Sequence, residues 1–187
     1  MDGSELRSRL ERQHAESYGW ALSCCAGDRV EAEDVLGTVY LKILEGKARY
    51  SGRAEFRTWL FAVIRKTAAD AWRKDKLRRL LLQRYRESAG LPSRVESADD
   101  DRVHRSRARA RFRQVLAALP RRQREVLQLV FYHDLTLSKA AEVMCVSIGS
   151  ARTHYARGKE RLRKWLEEPG PDHEIRVARR ENQAALP

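Results

Sequence analysis

Apolar positions recur with a helical period along three stretches of this chain. From Ala32 the series Ala32, Val35, Leu36, Val39, Tyr40, Ile43 and Leu44 keeps spacings of three and four, which gathers them on one side of a helix and leaves Asp34, Thr38 and Lys42 outside. A longer series, Phe56, Trp59, Leu60, Val63, Ile64, Thr67, Ala68, Ala71 and Trp72, predicts a second amphipathic helix with Phe56 and Trp72 in its core face. Phe61 falls off that stripe, beside Arg57, Arg65, Lys66 and Arg73, and is expected to be an exposed aromatic among cations. Such a set suits unstacked single-stranded bases, because the ring stacks while the cations follow phosphates. Between the two helices, Gly46 to Glu55 (GKARYSGRAE) has the glycines and serine of a loop. Past Trp72 the cations Arg73, Lys74, Lys76, Arg78, Arg79, Arg84 and Arg86 face only Asp75 and Glu87, a run that can hold duplex phosphates.

The third stretch, Leu119 to Leu166, has a different organisation. Pro120 stands at a helix start, where its missing N–H costs nothing, and Val126, Leu127, Val130 and Phe131 form a packing face. Leu137, Ala140, Ala141 and Met144 share one face of a short helix, Cys145 to Ser147 make a turn, and Ser147 is suited to cap the next helix. Along that helix Ile148, Ala151, Tyr155 and Leu162 are expected to point inward. The opposite side carries Ser150, Arg152, Thr153, Ala156 and Arg157. Forked guanidiniums for guanine edges or phosphates, hydroxyls for phosphates and a small residue for close approach are what a major-groove reader needs. The stretch therefore reads as a DNA-binding helix-turn-helix.

Charge agrees with a polyanionic partner. Among 187 residues, 38 Lys and Arg against 26 Asp and Glu leave a formal charge of +12. No run approaches the roughly 20 apolar residues of a membrane span, and no apolar leader core follows Met1, so the expectation is a cytoplasmic protein without membrane insertion. Cys24, Cys25 and Cys145 are odd in number and lack metal-ligand spacing, which favours reduced, buried core thiols over a bridge or a zinc site. His14, His104, His133, His154 and His173 are scattered singly.

The resulting fold class is all-α, with two small helical domains joined by a flexible linker. The expected bounds are 1–87 for the first domain, 88–105 for an acidic linker, 106–168 for the helix-turn-helix domain and 169–187 for a disordered tail.

In this order, the runs Ala32 to Leu41 (AEDVLGTVYL), Tyr50 to Leu60 (YSGRAEFRTWL) and LPRRQREV with the helix-turn-helix resemble the extracytoplasmic-function group of bacterial sigma-70 family initiation factors. The resemblance spans roughly residues 15 to 166 and makes the halves the family's sigma2 and sigma4 domains. It implies core RNA polymerase and promoter DNA as partners, leaves room for an anti-sigma factor, and calls for no cofactor, metal, small-molecule substrate or catalytic residue. By position it puts Ser150, Arg152, Thr153, Ala156 and Arg157 at the minus-35 duplex. It puts Lys47, Arg49, Tyr50, Ser51, Arg53, Phe61, Arg65, Lys66 and Arg73 at the minus-10 element, and Asp34, Gly37, Thr38, Tyr40 and Leu41 on the polymerase clamp. Glu96 and Asp99 to Asp101 would lead the linker toward the active-site channel. The chain departs from the family's common residues at Gly37-Thr38, where Gln-Glu is usual, at Lys66 in place of Asn, and at Cys145 in place of Gly.

Two other classes compete. A stand-alone helix-turn-helix regulator would leave Ala32 to Trp72 without a task. An enzyme acting on nucleic acid would need a phosphate-cradling glycine loop, a metal-ligand cluster or a nucleophile with a base, and the sequence offers none.

Overall fold

A computed structural model describes residues 3–88, 116 and 118–167. Seven helices occur among them, and no strand: α1 (Gly3–Arg12), α2 (His14–Cys24), α3 (Arg29–Leu44), α4 (Phe56–Ser88), α5 (Arg121–Phe131), α6 (Leu137–Met144) and α7 (Ile148–Glu167). The expected linker and tail, with Glu96, Asp99 to Asp101, His104 and His173, lie outside the described residues.

Local chemistry explains the helix ends. Asp28 is extended and its carboxylate accepts from the Glu31 N–H at 3.0 Å, satisfying one of the unpaired donors at the start of α3. Thr136 does the same for α6 through the Lys139 N–H. Cys145 ends α6 in the left-handed region at φ 53°, and the Val146 N–H reaches back to the Ala141 carbonyl at 3.1 Å, a Schellman closure. Ser147 then caps α7, its hydroxyl accepting from the Ser150 N–H at 3.1 Å. The turn of the helix-turn-helix is thus closed at both edges.

In the first domain α2, α3 and α4 pack around Trp20, Val35, Val39, Leu60 and Ile64, all essentially buried. Trp20 also donates its indole N–H to the Phe61 carbonyl at 3.0 Å, so its one polar atom is satisfied inside the core. In the second domain α5, α6 and α7 close on one another. A Cβ added to Gly158 would meet Leu127 Cδ1 at 2.9 Å, so the missing side chain sets how closely α5 and α7 approach.

The two domains also pack against each other. Val126, Leu129, Leu135, Ala140, Val143 and Met144 of the second domain belong to one continuous buried cluster with Trp20, Phe61 and Ile64 of the first. Periodicity sees one stripe per helix, whereas α4 is covered on two sides, by α2 and α3 and by α6. Phe61, expected outside, is therefore fully buried. The reverse holds for Trp72, which is 52% exposed because α4 runs past the body there, and Lys76 Nζ sits 5.3 Å from its ring centroid. Leu44, Phe131 and Ile148, each expected inside, are exposed at helix ends, with Phe131 stacked on Tyr155. Lys42 is half-buried and bonds Thr67 rather than standing in solvent.

Candidate nucleic-acid and polymerase interface

The recognition side of α7 is open. Arg152, Thr153, Ala156 and Arg157 are exposed, and among the described residues no carboxylate pairs with either arginine. Thr153 turns its hydroxyl to the Gly149 carbonyl at 3.0 Å, and Ser150 shares a 3.0 Å bond with Ser147. Ala151 is buried on the opposite side, with Tyr155 and Leu162 half-buried, so the inner and outer faces separate as the spacing requires. Lys159 lies 4.8 Å from the Tyr155 ring centroid.

The loop before α4 is held by an aromatic group. Tyr50 packs edge-on to Phe56 with ring centroids 5.3 Å apart and tilts against Trp59 at the same separation, while its hydroxyl donates to the Ala54 carbonyl at 2.6 Å. These rings fix the loop from inside and leave Arg49, Ser51 and Arg53 exposed on its rim. Lys47 pairs with Glu45 and Arg73 with Asp70, both exposed and so of small energetic weight. Lys66 is exposed. Tyr50 is only half-buried and keeps one edge toward solvent.

Phe61 and Arg65 do not join that set. Phe61 stacks on Trp20 at 5.9 Å and meets the His133 ring edge-on at 4.9 Å. Arg65 Nε reaches the Glu125 carboxylate at 3.1 Å, with side-chain exposures of 11% and 5%, and Arg121 and Arg122 converge on the same carboxylate at 2.9 and 3.4 Å. Arg57 pairs with Glu16 and donates to the His133 carbonyl. Burial, with Arg57 nearby, pushes the His133 imidazole down to about 4, Asp134 opposing weakly. Sequence reasoning missed this junction entirely. Its one sequence signal is a buried-type glutamate, Glu125, amid Arg121, Arg122 and Arg124.

On α3, Asp34, Gly37, Thr38 and Leu41 are exposed, and Tyr40 is half-buried with its hydroxyl 3.1 Å from His14 Nδ1. A cavity of about 420 Å³ lies between α1 and α3, lined by Arg7, Leu10, Glu11, His14, Tyr40 and Leu44. The α1 side of it was not anticipated, although Leu6 and Leu10 stand one turn apart. Burial pushes the Cys25 thiol up to about 12 and also raises Cys24, which disfavours the thiolate at both. Cys145 is exposed, contrary to the expectation of a core thiol, because the left-handed turn residue points outward.

The family model described as Sigma-70 region 2 matches residues 10–78, and that described as Sigma-70, region 4 matches residues 115–164, which takes in α5, α6 and most of α7. A search of curated proteins finds the ECF RNA polymerase sigma factor SigX of Bacillus subtilis (strain 168) 27% identical over 173 residues, covering 85% of this chain and 84% of that protein. This chain belongs to the extracytoplasmic-function group of the sigma-70 family. The RNA polymerase sigma factor CarQ of Myxococcus xanthus is 28% identical over 170 residues, covering 91% of this sigma factor and 92% of the relative. Among solved structures, the sigma factor RpoE in complex with the anti-sigma factor NepR from Bartonella quintana superposes with a TM-score of 0.65 at 18% identity, over 89% of this chain and 99% of that one. CnrH in complex with the cytosolic domain of CnrY gives 0.62 at 17%, over 90% and 92%. Both share the fold. Among the described residues no helix of this sigma factor is long and apolar enough to cross a membrane, and no group of three His, Cys, Asp or Glu could hold a metal ion.

Proposed function

We propose that this sigma factor binds core RNA polymerase and directs promoter-specific initiation, with its first domain opening the minus-10 element and its second reading the minus-35 element. The observation that carries the reading is the joint presence of regions 2 and 4 in family order, each with an exposed surface of suitable chemistry. On α7, Arg152 and Thr153 meet bases near the helix N-terminus, with Ser150, Ala156 and Arg157 alongside on backbone and groove wall. Lys47, Arg49, Tyr50, Ser51, Arg53, Lys66 and Arg73 receive the minus-10 strand. Asp34, Gly37, Thr38, Tyr40 and Leu41 form the clamp-facing side of α3. It acts in the cytoplasm as a specificity subunit with no catalysis of its own, and an anti-sigma factor is a fitting regulator because the fold neighbour RpoE was solved with the anti-sigma factor NepR.

A stand-alone operator-binding regulator is disfavoured by the region 2 match over residues 10–78. The deciding experiment is run-off transcription on host genomic fragments by core polymerase, with and without this protein. New start sites that depend on the protein, and that shift in minus-35 base preference with Arg152→Ala, are the expected result. Tight binding to one operator without any dependence on core enzyme would overturn it.

A further inference from the structure

We propose that the outer half of α4 is an interfacial helix that lays this protein on anionic lipid bilayers. Every residue from Trp72 to Tyr85 is exposed, and Leu77, Leu80, Leu81 and Leu82 are each 46–58% exposed. The amphipathic order of this segment is inverted. Asp75, Lys76, Arg79 and Gln83 share the side that lines an open groove against Asp28 and Glu31 of α3, with Leu80 at its edge. Leu77, Leu81 and Leu82 fall on the side turned away from that groove. A polar side toward its own domain and leucines toward water leave an apolar surface that an outside partner would remove from solvent.

Charge and the width of the leucine arc identify that partner. Six cations, Arg73, Lys74, Lys76, Arg78, Arg79 and Arg84, stand against the single carboxylate of Asp75 in this segment. Arg73 pairs with Asp70 and Arg79 with Asp75, whereas among the described residues no carboxylate pairs with Lys74, Lys76, Arg78 or Arg84. A second copy would bring the same positive surplus against it, so self-association is opposed. A nucleic acid would take the cations and leave the leucines in water, since its backbone is held by charge. The four leucines span about 200° of the helix circumference, wider than the stripe a single partner helix covers. A bilayer interface meets all three conditions. Acyl chains take the broad leucine arc, and the long stems of Lys74, Arg78 and Arg84 carry their charges from between the leucines to headgroup phosphates. The apolar segment is too short to span a bilayer, so the helix lies in the plane of the interface.

The test is cosedimentation of the full chain with vesicles of about 30% phosphatidylglycerol in phosphatidylcholine, and of phosphatidylcholine alone, at about 0.15 M salt. Wild type should partition onto the anionic vesicles at least about tenfold more strongly than onto the neutral ones. Leu77→Gln combined with Leu81→Gln keeps every charge and should lose about tenfold of that anionic partitioning. The double variant should keep its circular dichroism and its affinity for a mixed-sequence duplex of about 20 base pairs. Anionic vesicles should also slow amide exchange in residues 77–82 of the wild type, and this readout decides alone if the double variant loses helix. Absence of anionic binding, or unchanged exchange in that segment, overturns the proposal. Equal binding by the double variant would reduce it to adsorption of a chain of net charge +12 and overturn it too. Parallel loss of duplex affinity would assign the face to nucleic acid, and a leucine-dependent dimer without vesicle binding would assign it to a second copy; either result overturns the bilayer assignment.

Discussion

Phe61 and Lys66 are neighbours on α4 with opposite circumstances. Phe61 is fully enclosed by Trp20, His133 and the Arg57 guanidinium, whereas Lys66 is exposed. Truncating Phe61 to Ala should cost roughly 3–5 kcal/mol in urea unfolding, and Lys66→Ala should leave stability within about 0.5 kcal/mol while slowing promoter opening. Similar midpoint losses in both variants would contradict the burial described. Cys145 offers a gain instead. Its left-handed backbone strains a residue that carries a Cβ, and its side chain is exposed, so Cys145→Gly should raise stability by about 0.5–1 kcal/mol, read as a higher melting temperature. Its turn was legible in advance from the spacing around it, whereas its exposure was not, since a cysteine without metal-ligand spacing reads as a core thiol. Nor was the burial of Phe61, because a residue off the main stripe looks solvent-facing until a second surface arrives to cover it.

At the level of elements, Gly37 stands in the exposed middle of α3 with nothing within 4 Å of an added Cβ. Gly37→Ala should therefore stabilise the domain by about 0.5–1 kcal/mol, and a thermal melt that falls would show that α3 needs the gap. The same substitution leaves core-polymerase affinity as an independent measure of whether the clamp requires this bare patch. Helices α3 and α6 were readable from spacing alone because each shows one clear apolar stripe, α4 only on the side that α2 and α3 cover, and α7 because Ser147 and the turn announce its start. Helices α1 and α2 were not. In α2 the apolar residues Tyr18, Trp20, Ala21, Leu22 and Cys24 crowd around the helix without a clear stripe, as befits an element packed between α3, α4 and α5.

For the whole molecule, the junction carries a pH dependence. His133 binds its proton near 6.5 when released and near 4 in place, so the closed fold is fully favoured above about 6.5. Its stability should decline by about 1.4 kcal/mol per pH unit as pH falls from there toward about 4, then level off. Urea midpoints measured from pH 8 to 4 should lose this component in His133→Leu relative to wild type, and parallel curves for the two proteins would rule it out. Domain closure itself was illegible in the sequence, since each contact joins residues 60 or more apart, such as Arg65 with Glu125, with no local pattern. One continuous α4 has a further consequence. Its outer half, from Trp72 onward, bears exposed Leu77, Leu80, Leu81 and Tyr85, and Arg79 pairs with Asp75 one turn away. Amide protons in residues 58–70 should exchange slowly and those in residues 76–85 fast, with trypsin cutting first near Arg78 and Arg79. The folded body thus ends partway along an unbroken helix, at a border drawn by protection rather than by the path of the backbone.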